Sequence, residues 1–263
     1  MKLLKKGFIA ALCISLILIS YIVVLKYMEN TKELDIEEYY DGRDGTTVLK
    51  NLKNNKVYIY NKDRGQKRFT PESTFKVPNA LIGLEVSAVR DEYDVKRWDG
   101  VEREFDGWNR DHSLASAMRE SAIWYYQEMA RDIGESSMQE NVNIMEYGNK
   151  DITGGIDKFW LDSSLEISAV EQVEFMENLV KEELPFEEEH QKTVKRMMIQ
   201  KENDDYVLYG KTGTRLSDNK LGWFVGFIKL KDRTWVFATN ISDSGSEAMD
   251  ITLKTLEQMK LVK

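Results

Sequence analysis

An almost unbroken apolar run from Gly7 to Leu25 stands behind Lys2, Lys5 and Lys6 and ahead of Lys26. A basic flank followed by roughly 19 apolar residues reads as an export signal or a single membrane anchor, because that length approaches the span of a bilayer's hydrocarbon core. No clean small-x-small cleavage site follows it. Residues 1–27 are therefore assigned to this segment, and the polar, acidic stretch 28–45 to a linker. A folded domain is expected over 46–263.

Within that domain the apolar period changes twice. Thr47-Val48-Leu49 and Val57-Tyr58-Ile59-Tyr60 read as two strands, with Lys53-Asn54-Asn55-Lys56 as the turn of a hairpin. From Pro71 to Val89 the pattern is helical, with Pro71 and Glu72 at the start, where both are favoured. Pro78 falls inside and should remove the backbone bond to the Thr74 carbonyl. Strand signal stays weak from Val86 to Gln200, and Ser168–Glu171 forms a capping box ahead of a helix that Pro185 must end. Tyr206–Tyr209, Trp223–Leu230 and Thr234–Ile241 return to aromatic and β-branched residues. Ile251, Leu253, Leu256 and Met259 then line one face of a last helix over Glu247–Lys260. The predicted class is α+β: an antiparallel β-sheet built from both ends of the domain and flanked by helices, with an all-helical lobe inserted over about 86–200.

Composition narrows the function. The 263 residues carry a formal net charge of −8, which disfavours a general nucleic-acid surface. Cys13 is the single cysteine and lies inside the apolar run, so neither an internal disulfide nor a thiolate metal site is available. His112 and His190 are the only histidines, and no His-Glu-x-x-His motif occurs, so no metal is expected.

Candidate chemistry begins at Ser73-Thr-Phe-Lys76. Positions three apart share a helix face, so the Ser73 hydroxyl and the Lys76 amine can meet. A serine hydroxyl is a weak nucleophile that needs an adjacent base. Lys76 serves only when neutral, and burial among Phe75, Val77 and the apolar helix beyond would depress its pKa. Taken alone the tetrapeptide is a common chance pattern. Lys211-Thr212-Gly213-Thr214 comes later, where a lysine and a hydroxyl can hold a substrate carboxylate and a glycine lets a ligand approach the backbone. Both motifs in this order are the signature of β-lactamases and penicillin-binding proteins.

Most such enzymes carry Ser-Asp-Asn between the two. Here Ser121-Ala-Ile123 is followed by Trp124, then Tyr147-Gly-Asn149, then Trp160-Leu161. With Pro71-Glu-Ser73-Thr-Phe-Lys76 running into Asn79-Ala-Leu-Ile-Gly-Leu84, the chain resembles a class D β-lactamase over about residues 46–260, most closely the branch from Gram-positive bacilli. The resemblance implies hydrolysis of β-lactam antibiotics outside the cytoplasmic membrane. It implies Ser73 as the acylated nucleophile and Lys76, carboxylated by carbon dioxide, as general base, with no other cofactor. Trp160 would donate its indole N–H to the carbamate, and Ser121 would relay a proton to the leaving nitrogen. Ile123 and Leu161 would wall the base. The backbone N–H groups of Ser73 and Thr214 would form the oxyanion hole, and Lys211, Thr212 and Gly213 would line the substrate site.

Two departures stand out. Ile123 occupies a position where many relatives have valine. The stretch Ser246–Thr252 lacks the arginine that many class D enzymes place before the last helix, which leaves the substrate carboxylate to Lys211, Thr212 and Arg215. That absence keeps two alternatives open: a β-lactam sensor like the domains of penicillin signal transducers, which stay acylated, and a penicillin-binding protein of low activity.

Overall fold

The computed structural model describes residues 30–262. The apolar run over 7–25, and with it the expected signal or anchor, lies outside the described residues. Among the described residues no helix is long and apolar enough to cross a membrane.

The strands are β1 (Thr31–Glu33), β2 (Gly45–Asn51), β3 (Val57–Tyr60), β4 (Val95–Lys96), β5 (His112–Ser113), β6 (Ile199–Glu202), β7 (Tyr206–Thr214), β8 (Gly222–Leu230) and β9 (Thr234–Ile241). Seven of them form one sheet in the order β1-β3-β2-β9-β8-β7-β6, while β4 and β5 pair separately. Every pairing in the large sheet is antiparallel except β1 with β3. The first and last long strands of the domain meet at its centre, with Thr47 opposite Thr239 and Leu49 opposite Phe237.

The helices are α1 (Glu37–Tyr40), α2 (Lys62–Gln66), α3 (Lys76–Glu85), α4 (Leu114–Arg119), α5 (Ile123–Ile133), α6 (Glu135–Ile144), α7 (Ala169–Lys181), α8 (Glu188–Met197) and α9 (Gly245–Gln258). Side chains of β8 and β9 alternate between two cores, as the period of two requires. Phe224, Ile228, Trp235 and Phe237 pack with Ile251 and Leu256 of α9. Trp223, Val225, Phe227, Val236 and Ala238 join the larger core beneath α3, α5 and α7. Because both faces are covered, β8 reads as a continuous apolar run rather than an alternating one.

The structure departs from the sequence reading in five places. The region over about 86–200 is not all helical, since β4 and β5 pair within it through Val95 with Ser113 and Lys96 with His112, strands too short for a period of two to show. Residues 30–45 are not a free linker. β1 adds to the sheet edge, Leu34, Ile36 and Tyr40 are buried with α9, and Arg43 bridges Asp243 at 2.9 Å and Glu247 at 2.8 Å. Too few apolar residues stand in this stretch for a period to show. The helix expected from Pro71 is instead a 3-10 turn over Glu72–Phe75 followed by α3, because Glu72 adopts a left-handed backbone at φ 51°. Pro78 therefore sits in the first turn of α3, where its N–H would have had no helical partner. The strand expected to stop at Tyr209 continues through Thr214, paired along its length with β8. Finally, α7 packs across β2, β8 and β9, so the inserted region contributes one helix to the sheet.

Candidate active site

The 3-10 turn and the start of α3 set the central pair. Lys76 Nζ lies 2.8 Å from Ser73 Oγ, and the lysine has no measurable exposure. Burial depresses the Lys76 amine well below its ordinary pKa; the nearby Lys211 charge adds to this, and Glu72 opposes it. Among the described residues no carboxylate forms an ion pair with Lys76 or Lys211. Burial without a counter-ion favours the neutral amine, which is the state a proton acceptor needs.

Two further elements face this pair. Ser121 sits in the left-handed region at φ 57°, just ahead of α5. A non-glycine residue there costs about 1–3 kcal/mol, which the surrounding packing must offset. Its hydroxyl accepts a hydrogen bond from Lys211 Nζ at 3.0 Å, and the same amine donates to the Thr212 carbonyl at 3.0 Å. Burial lowers Lys211 to about 7. On β7, Gly213 passes so near the nucleophile that a Cβ there would stand 3.2 Å from Ser73 N and 3.0 Å from the Pro71 carbonyl. Only glycine lets the strand approach that closely without displacing the turn.

A cavity of about 490 Å³ opens over these groups. Ser73, Ser121, Ile123, Thr212 and Thr214 line it. Thr212 and Thr214 are two apart on one strand and so present the same face. The Thr214 hydroxyl also accepts from Gly245 N at 2.9 Å, which ties β7 to the first turn of α9. Lys76 reaches the cavity through Ser73, and Lys211 through Ser121. Leu161 is partly buried against the core and is not among the residues lining the cavity.

Trp160 is fully buried against the nucleophile turn. Its ring stacks on Phe75 at 5.5 Å, and its carbonyl accepts from Glu72 N at 3.0 Å. Its indole Nε1 is buried with no hydrogen-bond partner among the described residues. Indole N–H groups can only donate, and an orphaned buried donor is uncommon. Tyr147-Gly-Asn149 shapes the same region rather than the cavity wall. Gly148 lies at φ 55° against the Glu166 carbonyl, and Asn149 Nδ2 donates to the Ser164 carbonyl at 2.8 Å. His112 is structural, with Ser116 Oγ at 2.9 Å from Nδ1 and the Gly107 carbonyl at 2.8 Å from Nε2.

The sequence reading missed part of this site. Phe105, Trp108 and Leu216 stand at the cavity mouth with the carboxylates of Glu104, Asp106 and Glu120. They come from loops and the short 3-10 turn Asp106–Trp108, none of which carries a motif, so no spacing signalled them. Glu72 was read as a helix-start residue, yet it is 2% exposed beside Ser73. Arg215, a candidate for the substrate carboxylate, is already paired with Asp218 at 2.8 Å and Asp162 at 3.5 Å.

Comparison with known proteins agrees with this architecture. The family model for the penicillin-binding protein transpeptidase domain matches residues 40–256. The chain is 58% identical over 233 residues to the probable β-lactamase YbxI of Bacillus subtilis, covering 89% of this chain and 87% of that protein. The solved structure of the class D β-lactamase BAT-2 superposes with a TM-score of 0.86 at 59% identity, covering 88% of this chain and 97% of that one. The C-terminal domain of the Bacillus licheniformis BlaR penicillin receptor superposes with a TM-score of 0.85 at 34% identity, covering 89% and 98%.

Proposed function

We propose, since the chain belongs to the class D β-lactamase family and is a hydrolase of β-lactams, that Ser73 is its acylated nucleophile and Lys76 its general base. The observation that carries this reading is the 2.8 Å contact between Ser73 Oγ and a fully buried Lys76 Nζ whose burial favours the neutral amine. Ser73 Oγ attacks the β-lactam carbonyl carbon as its proton passes to the Lys76 side chain. The C–N bond of the ring then breaks, Ser121 passes its proton to the departing nitrogen, and the proton that Lys76 took from Ser73 is relayed back to the Ser121 oxygen, whose hydroxyl is bonded to Lys211 Nζ. The Ser73 and Thr214 N–H groups face the developing oxyanion. Lys211 and Thr212 hold the substrate carboxylate, while Ile123 and Leu161 limit water around the base. In the second half-reaction the Lys76 side chain draws a proton from water as it attacks the ester carbon, the C–O bond to Ser73 breaks, and that proton passes to Ser73 Oγ.

Carbon dioxide held as a carbamate on Lys76 would supply an anionic oxygen base in place of the amine. The residues present fit that group. A neutral amine is the form that reacts with carbon dioxide, and the orphaned, buried Trp160 N–H is a donor suited to the anion that forms. The basic flank and apolar run at the N-terminus support action outside the cytoplasmic membrane.

Mixing the full chain with benzylpenicillin and following its intact mass over time tests the assignment. A transient adduct on Ser73 with release of hydrolysed penicillin is expected. An adduct that persists supports the second reading, a slow-turnover receptor, which the likeness to the BlaR domain favours. No adduct at all sinks both. Added bicarbonate should raise the rate, and acid should suppress it. Depression of the Lys76 pKa extends the neutral form to lower pH than an ordinary lysine allows, and that form is lost as pH falls through the depressed value. Steady-state rates indifferent to both variables would rule out the carbamate.

A further inference from the structure

Glu72 has no assigned role, yet it is the most heavily constrained acidic group near the nucleophile. It is 2% exposed and occupies the left-handed region at φ 51°. Its N–H donates to the Trp160 carbonyl at 3.0 Å. Its Oε1 accepts from the Asp162 N–H at 2.9 Å and from the Thr70 hydroxyl at 2.7 Å. The Thr70 carbonyl is in turn held by Trp223 Nε1 at 2.9 Å. From the other side β7 closes in, since a Cβ on Gly213 would stand 3.3 Å from Glu72 Cβ. One residue therefore grips both ends of the tripeptide Trp160-Leu161-Asp162 while adjoining Ser73 in the chain.

We propose that Glu72 is a positioning residue for deacylation: its carboxyl fastens the Trp160–Asp162 segment to the Ser73 turn. The fastening sets where the Trp160 N–H and the Leu161 side chain stand relative to Lys76. The inference rests on the assignment of Lys76 as base and Trp160 as its donor. A left-handed glutamate is an unfavourable choice unless its side chain has a place to be, and here that place is the Asp162 N–H. Burial raises the Glu72 carboxyl to about 7, while the Thr70 hydroxyl and the Asp162 N–H pull it down. Asp162 and Arg215 are the other charged groups acting on it, and Glu72 acts in turn on Lys76. What the segment needs is therefore an acceptor oxygen at the right reach, whether or not the carboxyl is charged.

The decisive comparison is between Glu72→Gln and Glu72→Asp in the full chain. Glutamine keeps an oxygen within reach of both donors and removes the charge. Aspartate keeps the charge and is one methylene too short. Each would be mixed with benzylpenicillin, and acylation and deacylation of Ser73 would be followed separately by intact mass. Acylation should stay within about threefold of the native rate in both variants. Deacylation should stay within about threefold for Glu72→Gln and fall at least about tenfold for Glu72→Asp, so that its adduct accumulates. Native deacylation in Glu72→Asp would overturn the proposal, as would an equal fall in Glu72→Gln. Failure of the native chain to form any Ser73 adduct would instead overturn the nucleophile assignment on which the inference rests.

Discussion

Lys76→Ala is expected to lower kcat/KM for benzylpenicillin by about 10²–10⁴-fold, the range that a positioned general base contributes. The argument is one of supply. Ser73 Oγ has Lys76 Nζ at 2.8 Å, and alanine removes that acceptor while leaving the hydroxyl in place. The substitution should also remove any response to bicarbonate, because the amine that would take up carbon dioxide is gone. Stability should change little. A fully buried amine without a carboxylate partner is costly to keep, and alanine relieves that cost while opening a small cavity. The expected pattern is thus a variant with little turnover and a melting temperature near the native one. Penicillin adducts that form slowly and then persist would fit, and so would none forming. Native turnover by Lys76→Ala, measured in a nitrocefin assay, would refute the base assignment.

The second large effect is expected at Trp160. Trp160→Phe keeps an aromatic ring to stack on Phe75 but removes the N–H. Hydrogen bonds to charged groups are worth about 1.5–3 kcal/mol, so a donor that holds a lysine carbamate should matter by roughly 10–150-fold. The loss should fall on carbamate occupancy and not on penicillin recognition. Higher bicarbonate should therefore restore part of the lost rate, and the concentration giving half the effect should rise above that of the native chain. Unfolding of the carbamate-free chain should be affected little, since in that state the buried N–H that phenylalanine discards has no partner among the described residues, which offsets the smaller ring volume. A Trp160→Phe variant with native rates at ambient carbon dioxide would show that the indole is only a core aromatic.

Much of the fold was legible because strands and helices here follow simple periods. The hairpin of β2 and β3, the long β8 and β9, the capping box at Ser168 and the final helix all follow such local signals. The 3-10 turn at Glu72–Phe75 could not be read that way. It exists because Glu72 is left-handed, and that conformation is imposed by residues 160–162 and by Gly213, all distant in sequence. The same reason hid the role of β7. Gly210 and Gly213 weaken any strand signal, yet they let β7 pair fully with β8 and press against Ser73. Motif spacing marked Ser73, Lys76, Ser121 and the residues of β7, whose side chains the fold brings around one cavity or hydrogen-bonds to its lining. It could not mark the cavity mouth, where Phe105 and Leu216 owe their position to loop paths alone.

The pairing of β2 with β9 also governs when this protein can become a protein. Thr47 and Thr239 face each other at the middle of the sheet, although nearly the whole domain separates them in the chain. Until residue 241 has emerged from the ribosome, β2 is paired on one side alone, with β3, and the sheet lacks its central strand. The cavity over Ser73 is completed equally late, because β7, which supplies Thr212 and Thr214 to its wall, joins β2 only through β8 and β9.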